Sequence, residues 1–138
     1  MSSVVLLIIS IIIIGVLVFI AISITGSKPY EFDKEEYQSD FLRIENSLRK
    51  ENNLSWNAAV SEADKLLDKA LMEMGTPGKT MGERLKKVDG KFSSKNSVWY
   101  AHKMRNQIAH ERGYQADYNK AKHALAAYRQ ALKDLGAI

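Results

Sequence analysis

Two kinds of hydrophobic order divide this chain. From Val4 to Thr25 the residues are apolar apart from Ser10, Ser23 and Thr25. A helix of that length, at ~1.5 Å per residue, extends about 33 Å and crosses a bilayer core. Beyond residue 30 no strand-like alternation of useful length occurs, and apolar residues return at intervals of three and four. Tyr37, Phe41, Ile44 and Leu48 mark a helix over residues 33–51. A second stripe runs from Trp56 through Val60, Ala63, Leu67 and Leu71 to Met74, where Gly75 and Pro77-Gly78 stop it. Thr80-Met81-Gly82-Glu83 has the capping-box pattern and opens a short helix to about Val88, broken by Asp89-Gly90. A further helix follows Ser94 to about Glu111, with Gly113 as its terminator. The last carries Tyr118, Ala121, Leu125, Tyr128, Leu132 and Leu135, closed by Gly136. The expected fold class is all-α: an N-terminal transmembrane helix, then an antiparallel bundle of four long helices and one short one.

Charge sharpens the division. Residues 1–27 carry no charged side chain. The organisation predicted is an anchor over 1–27, a linker over 28–32 and a helical domain over 33–138, long enough for one modest core. A retained span fits better than a cleaved signal peptide, because the apolar run is long and only Met1-Ser2-Ser3 precedes it. Lys28 and Lys34 follow the span and none precedes it, so the positive-inside rule puts the domain in the cytoplasm of a single-pass cell-membrane protein. Within the domain, residues 31–51 hold seven acids against four bases, whereas residues 79–122 hold eleven bases against four acids. A basic half suits a polyanion such as RNA, or an anionic membrane surface, though a solvated lysine face has the same composition. There is no cysteine, and His102, His110 and His123 have no HExxH spacing, so neither a disulfide framework nor a zinc site is expected, and no cofactor is implied.

The chemistry centres on Arg105-Asn106-Gln107-Ile108-Ala109-His110. At about 100° per residue, Arg105 shares a side with Val98, Ala101, Ile108 and Ala109, so the inward stripe is predicted to contain a guanidinium. A charge there needs a carboxylate, carbonyl groups or a bound phosphate, and Asp64, beside the apolar stripe of the second helix, is the candidate partner. His110, the candidate proton-transfer group, lies about 140° around the helix from Arg105. The two converge only if the helix ends near Ala109 or two copies meet. His102 lies beside Arg105 and is read either as assisting or as a partly buried structural histidine. Trp56 and Trp99 are read as core or interface aromatics, with base-stacking platforms as the alternative. His123 is expected to be exposed. Residues 76–80 contain Gly and Lys without the spacing of a P-loop.

Arg105, Asn106 and His110 together resemble the Arg-x4-His signature of the HEPN superfamily (higher eukaryotes and prokaryotes nucleotide-binding domain), whose members are all-α bundles. The resemblance spans residues 33–136 and is sharpest over 101–113. It implies a homodimeric, metal-independent endoribonuclease. In that reading Arg105 and His110 are catalytic, Arg105 stabilising the phosphate and His110 moving protons, while Asn106 and His102 bind or orient. The products would carry 2′,3′-cyclic phosphate ends. Superfamily members also serve as non-catalytic modules that bind RNA, nucleotides or proteins, so a binding or scaffold role at the membrane is the alternative. An antitoxin or regulatory partner stays open. Toxin members paired with a nucleotidyltransferase often carry Tyr two residues after the His, where this chain has Arg112.

Overall fold

The computed structural model describes residues 2–24 and 29–138 and divides into two units, 1–30 and 31–138. Residues 25–27 at the end of the predicted anchor, and Lys28, the first residue of the predicted linker and one on which membrane orientation leans, lie outside the described residues. In the first unit α1 covers Ser3–Ile24, long and apolar enough to cross a membrane. Ser10 and Ser23, inside the helix, do not leave their hydroxyls unmet. Ser10 Oγ donates to the Leu7 carbonyl and Ser23 Oγ to that of Phe19, each at 2.8 Å. That local bonding lowers the cost of polar atoms in an apolar phase.

The second unit is all helix among the described residues: α2 (Lys34–Ser47), α3 (Asn53–Glu73), α4 (Met81–Val88), a 3₁₀ turn (Asp89–Lys91), α5 (Lys95–His110) and α6 (Tyr118–Leu135). Helix α3 is central and packs against α2, α4, α5 and α6. The core is built from Tyr37 and Phe41 of α2, Val60, Leu67 and Leu71 of α3, Leu85 of α4, Met104 of α5, and Tyr128 and Leu132 of α6. Side chains start most of these helices. Asp33, Asn52, Thr80 and Asp117 each accept a backbone N–H two or three residues on. At α4 the reciprocal arm is displaced by one residue: the Glu83 carboxylate takes the N–H of Lys79 rather than that of Thr80. Gly136 ends α6 with φ +82°, and its N–H and that of Ala137 close onto the carbonyls of the last turn.

Two predicted boundaries need correction. Helix α2 stops at Ser47, not Glu51, because the following turn is claimed by α3: Trp56 Nε1 donates to the Arg49 carbonyl at 2.8 Å, and Ser55 Oγ engages the Arg49 N–H. For the same reason α3 begins at Asn53, a turn before the apolar stripe starts. The α5–α6 connection is also tied to α3. The Asn57 side chain donates to the Tyr114 carbonyl and accepts from the Ala116 N–H, fixing the chain just after the helix that carries Arg105 and His110.

Candidate functional site

Helix α5 is rotated relative to the sequence expectation. Its buried face is Val98, Ala101, His102 and Met104, whereas Arg105 and Ile108 are half-buried and Ala109 is exposed. Met104 continues the Val98–Ala101 row at i+3 and fills more core volume than Ala109 could. Arg105 is thereby moved from the middle of the inward face to its edge, with 32% of its side chain exposed. A guanidinium at an edge can meet a buried carboxylate on one side and solvent on the other.

The buried carboxylate is Asp64 of α3, only 3% exposed. Two helices supply its three partners. From α6, Tyr128 Oη donates to Oδ1 at 2.8 Å; from α5, His102 Nδ1 lies 2.8 Å from the same oxygen and Arg105 Nε lies 3.4 Å from Oδ2. Because an ionised carboxylate only accepts, His102 carries its proton on Nδ1 here. Its Nε2 then accepts from Asn106 Nδ2 at 3.4 Å, and Asn106 Oδ1 accepts from Arg105 Nη1 at 3.1 Å. These hydrogen bonds and the Arg105–Asp64 ion pair close a ring, Asp64–His102–Asn106–Arg105, with Tyr128 attached. No buried side-chain nitrogen or oxygen among the described residues lacks a partner. The environment leaves a mark on Tyr128: burial first, then the adjacent Asp64 charge and their hydrogen bond, push its hydroxyl well above the usual tyrosine range.

Outside the ring lies an open cleft of about 610 Å³ between α3, α4 and α5. Arg105 and His110 both line it. Arg105 spends Nε and Nη1 on the ring, and Nη2 has no protein partner among the described residues. His110 is exposed in the last turn of α5, and its imidazole is engaged by no other described side chain. The helix ends one residue later at Glu111, extended at ψ 117°.

The opposite wall is α4 and the loop before it. Arg84, 9% exposed, forks onto Asp68 (Nε–Oδ1 2.7 Å, Nη2–Oδ2 2.8 Å) and donates from Nη1 to the Gly78 carbonyl at 2.7 Å. The hydrogen bond to Asp68 outweighs burial and raises the Arg84 pKa. Gly78 is required where it stands. Its φ is +149°, and a Cβ there would lie 3.0 Å from the Arg84 backbone nitrogen and Cγ. Each cleft arginine is therefore matched by a carboxylate. The surplus positive charge comes from the lysines: Lys79 has no ion-pair partner among the described residues, and Lys65 shares an exposed pair with Glu62 at 3.2 Å.

The structure brings Asp64, His102, Asn106 and Arg105 into contact and sets His110 on the same cleft, with no hydrogen bond or ion pair from it to them among the described residues. His123 is exposed on α6, away from this cleft. The two tryptophans differ. Trp56 is a half-buried aromatic tied by its indole to Arg49, edge-on to Tyr118, whereas Trp99 packs edge-on to His102 and has no indole hydrogen bond among the described residues. Two members of the site escape a reading by pattern. Tyr128 sits in the apolar stripe of α6 and passes for core, although a phenol buried that deeply demands an acceptor. Arg84 lies on the stripe Met81–Leu85–Val88, the same anomaly that drew attention to Arg105.

No family model, curated protein or solved structure matches this chain, so function is argued from the site.

Proposed function

We propose that this protein is a membrane-tethered HEPN-like endoribonuclease, metal-independent and dimeric, with its helical domain facing the cytoplasm. The observation that carries the reading is the shared cleft: an arginine with unused donors and an unengaged imidazole open onto one solvent-filled space. RNA supplies its own nucleophile. The 2′-oxygen bonds to phosphorus, the bond from phosphorus to the 5′-oxygen breaks, and the products are a 2′,3′-cyclic phosphate and a 5′-hydroxyl. Arg105 offers Nη2 to the non-bridging oxygens as their charge grows. His110 takes the proton from the 2′-hydroxyl or gives one to the departing 5′-oxygen. One imidazole in a fixed protonation state performs one of these transfers. The partner's His110, in the dimer that the resemblance implies, supplies the other. The ring holds Arg105 in place: with Nε on Asp64 and Nη1 on Asn106, the guanidinium plane is fixed before substrate arrives.

A second reading has an observation of its own. Asp64 neutralises Arg105, and Asp68 neutralises Arg84, so the cleft is a less potent anion trap than its arginines suggest. A non-catalytic module that binds RNA, a nucleotide or a protein at the membrane fits that balance. The full chain in lipid nanodiscs, incubated with end-labelled RNA in excess chelator, separates the two. The ribonuclease cleaves to cyclic-phosphate ends and loses about 10²-fold or more in rate with His110→Ala, an exposed change that leaves the fold intact. Arg105→Lys keeps the charge but not the fork, and slows cleavage as well. Retention of RNA without cleavage, unaltered by His110→Ala, favours the binding module.

A further inference from the structure

A second hollow, of about 440 Å³, opens on the outer side of α5. Its walls are Asn96, Trp99, Tyr100, His102, Lys103 and Asn106. Two of these, His102 and Asn106, also wall the cleft that holds Arg105, so the two spaces adjoin across one pair of side chains. We infer that this hollow is a nucleobase subsite, in which Tyr100 and Trp99 receive the base next to the phosphate held at Arg105; the inference rests on the ribonuclease reading above.

Four features fit a base. The volume lies within the range of small-ligand pockets. Tyr100 is 48% exposed, a large aromatic with its face available. The Trp99 indole N–H has no partner among the described residues, unlike that of Trp56, which is spent on Arg49. The rim is polar in the sense a nucleotide needs. Asn96 carries an amide that can both donate to and accept from a base edge, and Lys103 is an exposed cation without an ion-pair partner among the described residues, placed for the flanking phosphate. A second copy of the chain would fit less well. Tyr100 is the one exposed large apolar residue on α5 among those described, and the others in residues 31–138 (Leu42, Leu54 and Met72) lie on α2 and α3. One aromatic face matches one planar base, not a protein interface.

The test uses the full chain in neutral-lipid nanodiscs and two short 2′-O-methyl oligonucleotides of equal length and charge, one intact and one with abasic positions. The blocked 2′-oxygen separates binding from turnover. The subsite predicts that the intact strand binds about 5- to 150-fold more tightly, the fold-change of ~1–3 kcal/mol of base stacking at 1.4 kcal/mol per tenfold. Tyr100→Ala lowers the intact affinity towards the abasic value and leaves the abasic affinity unchanged. In a Trp56→Phe background, the intact strand quenches the remaining Trp99 fluorescence and the abasic strand does not. Equal affinities for the two strands, with unmodified RNA still cleaved, overturn the subsite and spare the ribonuclease. A Tyr100→Ala variant that changes the sedimenting mass while the intact-to-abasic ratio holds assigns the hollow to contact between copies and overturns it too. Binding of neither strand, with RNA uncleaved, removes the ribonuclease reading and the subsite with it.

Discussion

Replacing Asp64 by alanine removes one carboxylate and strands three donors on two helices, α5 and α6. His102 and Tyr128 are buried, and both lose their acceptor. Arg105 loses its counter-ion, but with 32% of its side chain exposed it recovers part of the loss through water. Breaking a buried charge pair costs about 3–5 kcal/mol, and the partial exposure of Arg105 argues for the lower end, about 3. A domain of this size has roughly 5–15 kcal/mol in total, so the variant folds but is crippled. At ~4–8 °C per kcal/mol, its Tm falls by about 12–24 °C. Asp64→Asn should recover part of the loss: its one oxygen can still accept from His102 and Tyr128, which share Oδ1, while the charge is gone and its NH2 group faces the Arg105 Nε–H. The assay is thermal unfolding followed by tryptophan fluorescence, since Trp56 and Trp99 both lie in residues 31–138 and α1 contributes no signal. A fall of less than about 4 °C in both variants would refute the argument, because a ring that costs under ~1 kcal/mol to break is not organising the site.

Other outcomes follow from the same geometry. The folded-state pKa of Tyr128 is raised, so its neutral form contributes stability that is complete below the unfolded tyrosine pKa of about 10 and drains away as pH climbs beyond it. Denaturant titrations across that range should show a steeper alkaline loss in the parent than in Tyr128→Phe, which has no proton to release. Arg84→Lys keeps the charge but cannot span both Asp68 oxygens and the Gly78 carbonyl; chemical denaturation should register a loss of about 1–3 kcal/mol. Gly78→Ala sets a Cβ against the Arg84 backbone nitrogen in a left-handed conformation, and a comparable or larger destabilisation is expected by the same method.

The helices were legible because their signals are local. Thr80 and Gly136 act within about one turn of where they stand, and the apolar spacings need only a turn or two. What defeated the pattern at residues 48–52 was tertiary: the Arg49 carbonyl is taken by an indole seven residues ahead, which periodicity does not see. The face of α5 was misjudged by one register for a similar reason. Both Met104 and Ile108 offered plausible inward rows, and packing against α3 and α6 chose the first. Asp64 could be singled out as a neighbour of Arg105 from its place beside an apolar stripe. Its hold on Tyr128 spans 64 residues of chain and leaves no trace in either helix alone.

The ring around Asp64 has a consequence for descent. Arg105 holds the fold and also faces the cleft, so a lineage that abandoned RNA cleavage would still be obliged to keep it, along with Asp64, His102 and Tyr128. His110 has no such obligation. It is exposed and bonded to no other described side chain, free to drift once its chemistry is no longer selected. Among descendants of this chain, persistence of the arginine would testify only to architecture; persistence of the histidine would testify to use.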